Sequence, residues 1–166
     1  MTPSELLQDA FTRVIESVER VVDGLSEDQL AVRPGPDANS IAWLVWHLAR
    51  VQDDHVAEVA GTEQVWTAEG YADRFGLPFE VTAIGYGQTS EETGQVRASA
   101  TLLASYARAV HERTLAFLTT VTEADLDRIV DRRWDPPVTL GVRLVSVVND
   151  DTQHVGQAAY VRGLLG

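Results

Sequence analysis

From Leu6 to Leu25 the apolar residues Leu6, Leu7, Ala10, Phe11, Val14, Val18, Val21 and Leu25 return at three- and four-residue steps, the period that sets them on one stripe of a helix. Ahead of them, Thr2-Pro3-Ser4-Glu5 supplies a capping Thr, a Pro at the first helical position and a Glu three residues after the cap. Together they predict a first helix running to about Asp23 or Gly24. Ser26 to Leu30 can add a short helical turn, which Pro34-Gly35-Pro36 breaks, because Pro disfavours helical geometry in the residue before it. Asn39 or Ser40 then caps a second helix whose Ile41, Leu44, Val45, Leu48, Val56 and Val59 form its buried face, with Gly61 as its stop.

Between Thr62 and Gln88 the period is lost. Gly70, Gly76, Pro78, Gly85 and Gly87 punctuate a stretch bearing Trp66, Tyr71, Phe75, Phe79 and Tyr86, which reads as a long ordered loop of the kind that covers a site. Thr89-Ser90-Glu91-Glu92 is another capping box, predicted to open a third helix that carries Val96, Leu103, Tyr106, Val110, Phe117 and Leu118 to near Thr120. Thr122 to Ile129 reads as a short helix and Arg132 to Pro137 as a turn. Thr139 then caps a last helix reaching about Leu165. Four long helices without an alternating strand pattern predict an all-α four-helix bundle with long connections and short extra helices. No repeat, low-complexity tract or linker divides residues 1–166, so one domain is expected.

Composition narrows the chemistry. Cysteine is absent, which excludes disulfides, thiolate metal sites and a catalytic Cys, so any thiol must come from outside. The net charge of -12 argues against nucleic acid and anionic membrane surfaces as partners, since both need clustered cations. All 13 basic residues are Arg, a bias read as that of a high-GC coding sequence. Glu5 and Asp9 stand where a signal peptide needs positive charge and an apolar run, so a cytoplasmic location is expected.

The histidines carry most of the functional information. His47 lies at the edge of the second helix's apolar arc, in WLVWHLARVQDDHV. His154 lies on the last helix, four residues after Asp150, so the two side chains project from one face a turn apart. Facing helices can bring such groups together, and His47 with Asp150 and His154 would make a two-His, one-carboxylate site with a position left for substrate. The Asp-x-x-x-His spacing alone also fits an ordinary solvated helix face. His55, about 12 Å of helix rise from His47, cannot share its metal and reads as a buried, hydrogen-bonded His. His111 reads as a surface or packing residue, and Trp43, Trp46 and Trp66 as core or loop anchors. Gly156, Ala159 and Gly163 suggest a close helix contact. Asp53, Asp54 and Arg50 read as a surface charge cluster, with Arg50 and Asp54, on the same side as His47, also candidates for supporting the ligands from behind.

WHLARVQDDH followed a hundred residues later by NDDTQHVGQAAYVRGLL resembles the superfamily that joins DinB-like proteins to the mycothiol-dependent maleylpyruvate isomerases and thiol transferases. The likeness runs from about Ser4 to Leu165 and includes the LSEDQL turn. His47 and His154 match two of the family's metal positions. Asp150 stands where many DinB-like proteins have His and the isomerases have Glu, a departure that favours the isomerase and transferase branch. The resemblance implies a divalent metal, zinc before nickel, iron or manganese, that binds the thiol of mycothiol and presents it to a small electrophile. Lys-free composition suits the high-GC Gram-positive bacteria that use this thiol. The alternatives are a non-enzymatic, metal-stabilised and stress-associated bundle, and a metal-dependent hydrolase with Asp54 as its only evident base. Homodimerisation through a helix face stays open.

Overall fold

The computed structural model describes residues 1–165. Its four long helices are α1 (Pro3–Val22), α3 (Ile41–Ala60), α7 (Ala100–Leu118) and α8 (Leu140–Leu164). Short helices α2 (Glu27–Leu30), α4 (Val65–Ala68), α5 (Tyr71–Phe75) and α6 (Ser90–Thr93) lie in the connections. This is the all-α bundle that the apolar periods predict. Helix α1 begins at the expected capping box, with Thr2 and Glu5 bonding each other's backbone amides, and buries Phe11, Val14, Ile15, Val18, Val21 and Val22. Leu6, at its outer end, is exposed. Ser40 caps α3 and Thr139 caps α8. Gly61 ends α3 in the left-handed conformation, at φ 68°, that a side chain would disfavour.

Helices α1 and α3 each pack against both α7 and α8, which places α1 diagonally across from α3. The most extensive helix pair is α3 with α8. Although α3 was expected to bury one face, Ile41 through Asp53 are buried without interruption. The cause is the segment after it. Residues 62–88 fold back as α4, α5 and turns, and lay Trp66 and Phe79 against Trp46, with Phe75 against Trp66, on the side that the bundle leaves open. A helix covered all round reads as apolar in every direction, with polar residues only where partners await them.

Three further expectations are corrected. The capping box at Thr89 closes only the four-residue α6; Gly94 ends it, and 96–98 form no helix, with Val96 and Ala98 buried, so α7 starts at a separate cap, Ser99. Within the predicted helix Thr122–Ile129, Ala124–Asp127 is a single 3-10 turn. Ile129–Asp131 (β1) instead pairs antiparallel with Val138–Thr139 (β2), aligning Ile129 with Thr139 and Asp131 with Val138. Strands of three and two residues are too short to show alternation. Gly156, Ala159 and Gly163 lie on the exposed face of α8, and a Cβ at either glycine would meet nothing within 4 Å, so the small-residue stripe makes no helix contact. Among the described residues, no helix is long and apolar enough to cross a membrane.

Candidate metal centre

Packing of α3 on α8 brings His47, Asp150 and His154 together. One donor atom from each lies within 4.8 Å of the other two. His47 is 1% exposed, whereas Asp150 and His154 are half-buried and keep some access to solvent. The imidazole rings of His47 and His154 meet edge to face with centroids 4.8 Å apart. Trp43, one turn before His47, stacks on it at 4.5 Å and touches His154 edge-on. Trp43 is therefore more than a core anchor: it walls the cluster, fixed by an indole N–H that donates to Gln88 Oε1 at 2.7 Å.

The hydrogen bonds set which nitrogen of each ring is free. His47 Nδ1 meets the carbonyl oxygen of Ile84, and His154 Nδ1 meets Gln157 Oε1 at 2.9 Å. Both oxygens only accept, so each Nδ1 carries the proton and each Nε2 presents a lone pair. His154 Nε2 faces Asp150 Oδ1 at 3.7 Å. Asp150 Oδ2 is buried and has no hydrogen-bond partner. Two imidazoles oriented through their second nitrogens, beside an orphaned carboxylate oxygen, match the needs of a divalent cation. Burial pushes His47 below its ordinary pKa, which keeps it in the neutral form that binds metal.

The sequence gives no direct sign of Ile84, whose contribution is a backbone atom. The neighbouring Gly85 has φ +102°, and a Cβ there would run into the ring of His47 and the edge of Trp43. The 62–88 excursion thus reaches the cluster through two consecutive residues. Tyr86 follows and packs edge-on against His47 at 5.2 Å.

Arg50, Asp53 and Asp54 are no surface charge cluster, since the 62–88 segment buries the first two, and neither Arg50 nor Asp54 joins the three donors. Arg50 is fully buried; its Nε donates to Ala83 O at 3.1 Å and its Nη1 to Gln64 Oε1 at 2.8 Å and Tyr106 OH at 3.3 Å. Asp54 accepts from Gln64 Nε2 at 2.8 Å. Both therefore hold the excursion, and Arg50 grips the residue before Ile84. His55 is half-buried, with Nδ1 3.4 Å from Arg143 Nη1 and 3.7 Å from Asp54 Oδ2. His111 is a buried packing residue of α7. Asp151 stood out in no sequence pattern, yet it is 0% exposed and neither of its oxygens has a partner. Burial and the adjacent Asp150 raise it well above the usual carboxylate range.

Comparisons with known proteins agree with this architecture. A crystal structure of a conserved protein from Enterococcus faecalis superposes with a TM-score of 0.91 at 30% identity, covering 98% of this chain and 96% of the other. A DinB-like protein from Bacillus cereus superposes at 0.64 with 22% identity, covering 98% and 92%, and shares the fold. A search of curated proteins found no match. The family model of mycothiol-S-transferase matches residues 6–166, nearly the whole sequence, and the chain belongs to that family.

Proposed function

We propose that this protein is a divalent-metal-dependent mycothiol S-transferase of the cytoplasm, in which His47, Asp150 and His154 hold the metal, zinc first among the candidates. The observation that carries the reading is the pairing of the two rings, each with Nδ1 bonded to an oxygen so that Nε2 is left free, in a cluster whose donor atoms lie within 4.8 Å of one another. A bound divalent cation keeps a coordinating thiol deprotonated at neutral pH, which supplies the nucleophile that a chain without cysteine lacks.

The chain's own groups do the rest. Ile84 and Gln157 fix the rings. Trp43, stacked on His47, and the 62–88 segment exclude water from the inner side of the cluster, where His47 is buried. The half-buried Asp150 and His154 leave the thiol an approach from the solvent side, with Tyr86 at its edge. Hydrolysis is less well supported, because its candidate base Asp54 is tied to Gln64. The test is metal content together with turnover of mycothiol and a fluorogenic electrophile. About one metal per chain is expected, with turnover that Asp150→Ala and His154→Ala both abolish. Undiminished turnover in the two variants, or no thiol-dependent reaction in the metal-loaded protein, would overturn the reading.

A further inference from the structure

Beyond Tyr86 the seam between α3 and α8 opens into a groove of about 480 Å³, lined by His55, Tyr86, Asp131, Arg133, Trp134 and Arg143. Arg143 lies on α8 two turns before Asp150, and Asp131 ends β1. The groove therefore continues from the candidate metal centre toward the small hairpin, with Tyr86 touching both.

The polar groups here are unequally matched. Asp131 Oδ1 accepts from the backbone N–H and the Nε of Arg133, both at 2.9 Å, and Oδ2 accepts from Arg133 Nη2 at 2.8 Å and Arg143 Nη2 at 3.1 Å. One carboxylate thus braces two guanidiniums, which hold it well below the ordinary carboxylate range. Its accepting capacity is fully engaged. Donors are left over: Arg143 Nε is buried without a partner, and Arg143 Nη1 meets only the His55 ring at 3.4 Å. Burial, reinforced by Arg143, keeps that ring below its ordinary pKa, so it adds no charge of its own. Within the lining, Arg133 and Arg143 outnumber the one carboxylate, Asp131; Asp54, Glu58 and Asp150 act on the groove from behind, so the draw on an anion is the local one of the guanidinium donors.

Two large rings flank these donors in the open. Tyr86 is 62% exposed and Trp134 66% exposed. A sugar or alcohol would need acceptors as well as donors, and the groove's carboxylate is occupied. Donors without acceptors, beside flat apolar faces, suit a planar anion.

We propose that the groove receives the anionic end of the electrophile, a conjugated or aromatic carboxylate. Its charge is held by Arg143 and Arg133, and its flat body lies on Trp134 and Tyr86, toward the metal centre. Its meaning for catalysis rests on the transferase reading, but the binding itself needs neither metal nor thiol.

Calorimetric titration of the metal-stripped protein with cinnamate and with cinnamide, its neutral counterpart, tests this directly. Cinnamate is expected to bind at least about ten-fold more tightly. That preference should shrink with added salt, and disappear in Arg133→Met and Arg143→Met. Trp134→Ala should weaken both ligands. Arg133 is an exposed hairpin residue, so its variant keeps the test valid should Arg143→Met fail to fold. Equal affinity for acid and amide, no binding of either up to solubility, or an unchanged preference in Arg133→Met would overturn the assignment. Cinnamate selectivity in a protein without thiol turnover would instead count against the transferase reading alone.

Discussion

Helix α3 carries two buried polar clusters about one turn apart, and they differ in one respect. Around Arg50 and Asp53 the groups bind one another, with only Arg50 Nη2 left over: Asp53 accepts from the amides of Val65 and Trp66 at 2.9 and 2.8 Å and from Tyr106 OH at 2.9 Å, while Arg50 reaches Ala83 and Gln64. Around His47 the groups converge without bonding: one donor atom from each of His47, Asp150 and His154 lies within 4.8 Å of the other two, and Asp150 Oδ2 has no partner. A buried network whose groups mostly bind one another fastens structure; one whose groups do not is costly unless something else completes it. The first cluster fits a clasp that holds the 62–88 excursion on α3, and the second fits an ion site.

The sharpest way to break this contrast is to remove one member of each. Asp150→Ala or His154→Ala is expected to lower metal affinity by more than about 100-fold, read by competition with a chromogenic chelator. Stability of the metal-free protein should barely change. Undiminished affinity in both variants would show that the metal sits elsewhere. Asp53→Ala should do the reverse. It strands the fully buried Arg50 and three donors, so urea unfolding is expected to show a loss of about 3–5 kcal/mol, with metal affinity of the folded fraction only modestly reduced. A loss under about 1 kcal/mol would mean that the clasp is not holding the segment.

Gly85→Ala probes the link between the two clusters. The added methyl falls on His47 at a positive φ, so stability should drop by about 1–3 kcal/mol and metal affinity by about 10-fold or more. Wild-type affinity in this variant would free His47 from dependence on the excursion. The smallest effect belongs to His111, on the far side of the bundle from α8. Burial, aided by Arg108, lowers its pKa from 6.5. The unfolded chain then binds more protons near that value, so this contribution to stability is present above about pH 6.5 and is lost as pH falls below it. His111→Gln should flatten the decline in unfolding free energy between about pH 7 and 5, and an unchanged slope would assign the decline to other groups.

The four long helices are legible in the sequence because their stripes span many turns and their caps are explicit, as at Thr2, Ser40 and Thr139. Less legible is everything that depends on tertiary cover. The uninterrupted burial of Ile41 to Asp53 exists because residues 62–88 return onto α3, which no local period encodes. Ser99 escapes notice because the stronger local signal at Thr89 belongs to a helix that Gly94 cuts to one turn. Of the candidate site, His47, Asp150 and His154 could be named from spacing and family resemblance. The Ile84 carbonyl could not, since a backbone acceptor has no residue signature. Arg50 and Asp54 bind Ala83 and Gln64 of the excursion, partners that no spacing along α3 announces.

The bond from His47 to Ile84 makes the length of one surface connection a chemical parameter. Adding or deleting a residue between the Arg50 anchor at Ala83 and the glycine at 85 would slide a different peptide group beneath the imidazole, changing its tilt and its basicity. If the cluster holds a metal, relatives that differ in the span of that connection should therefore differ in ion preference even where His47, Asp150 and His154 are all retained.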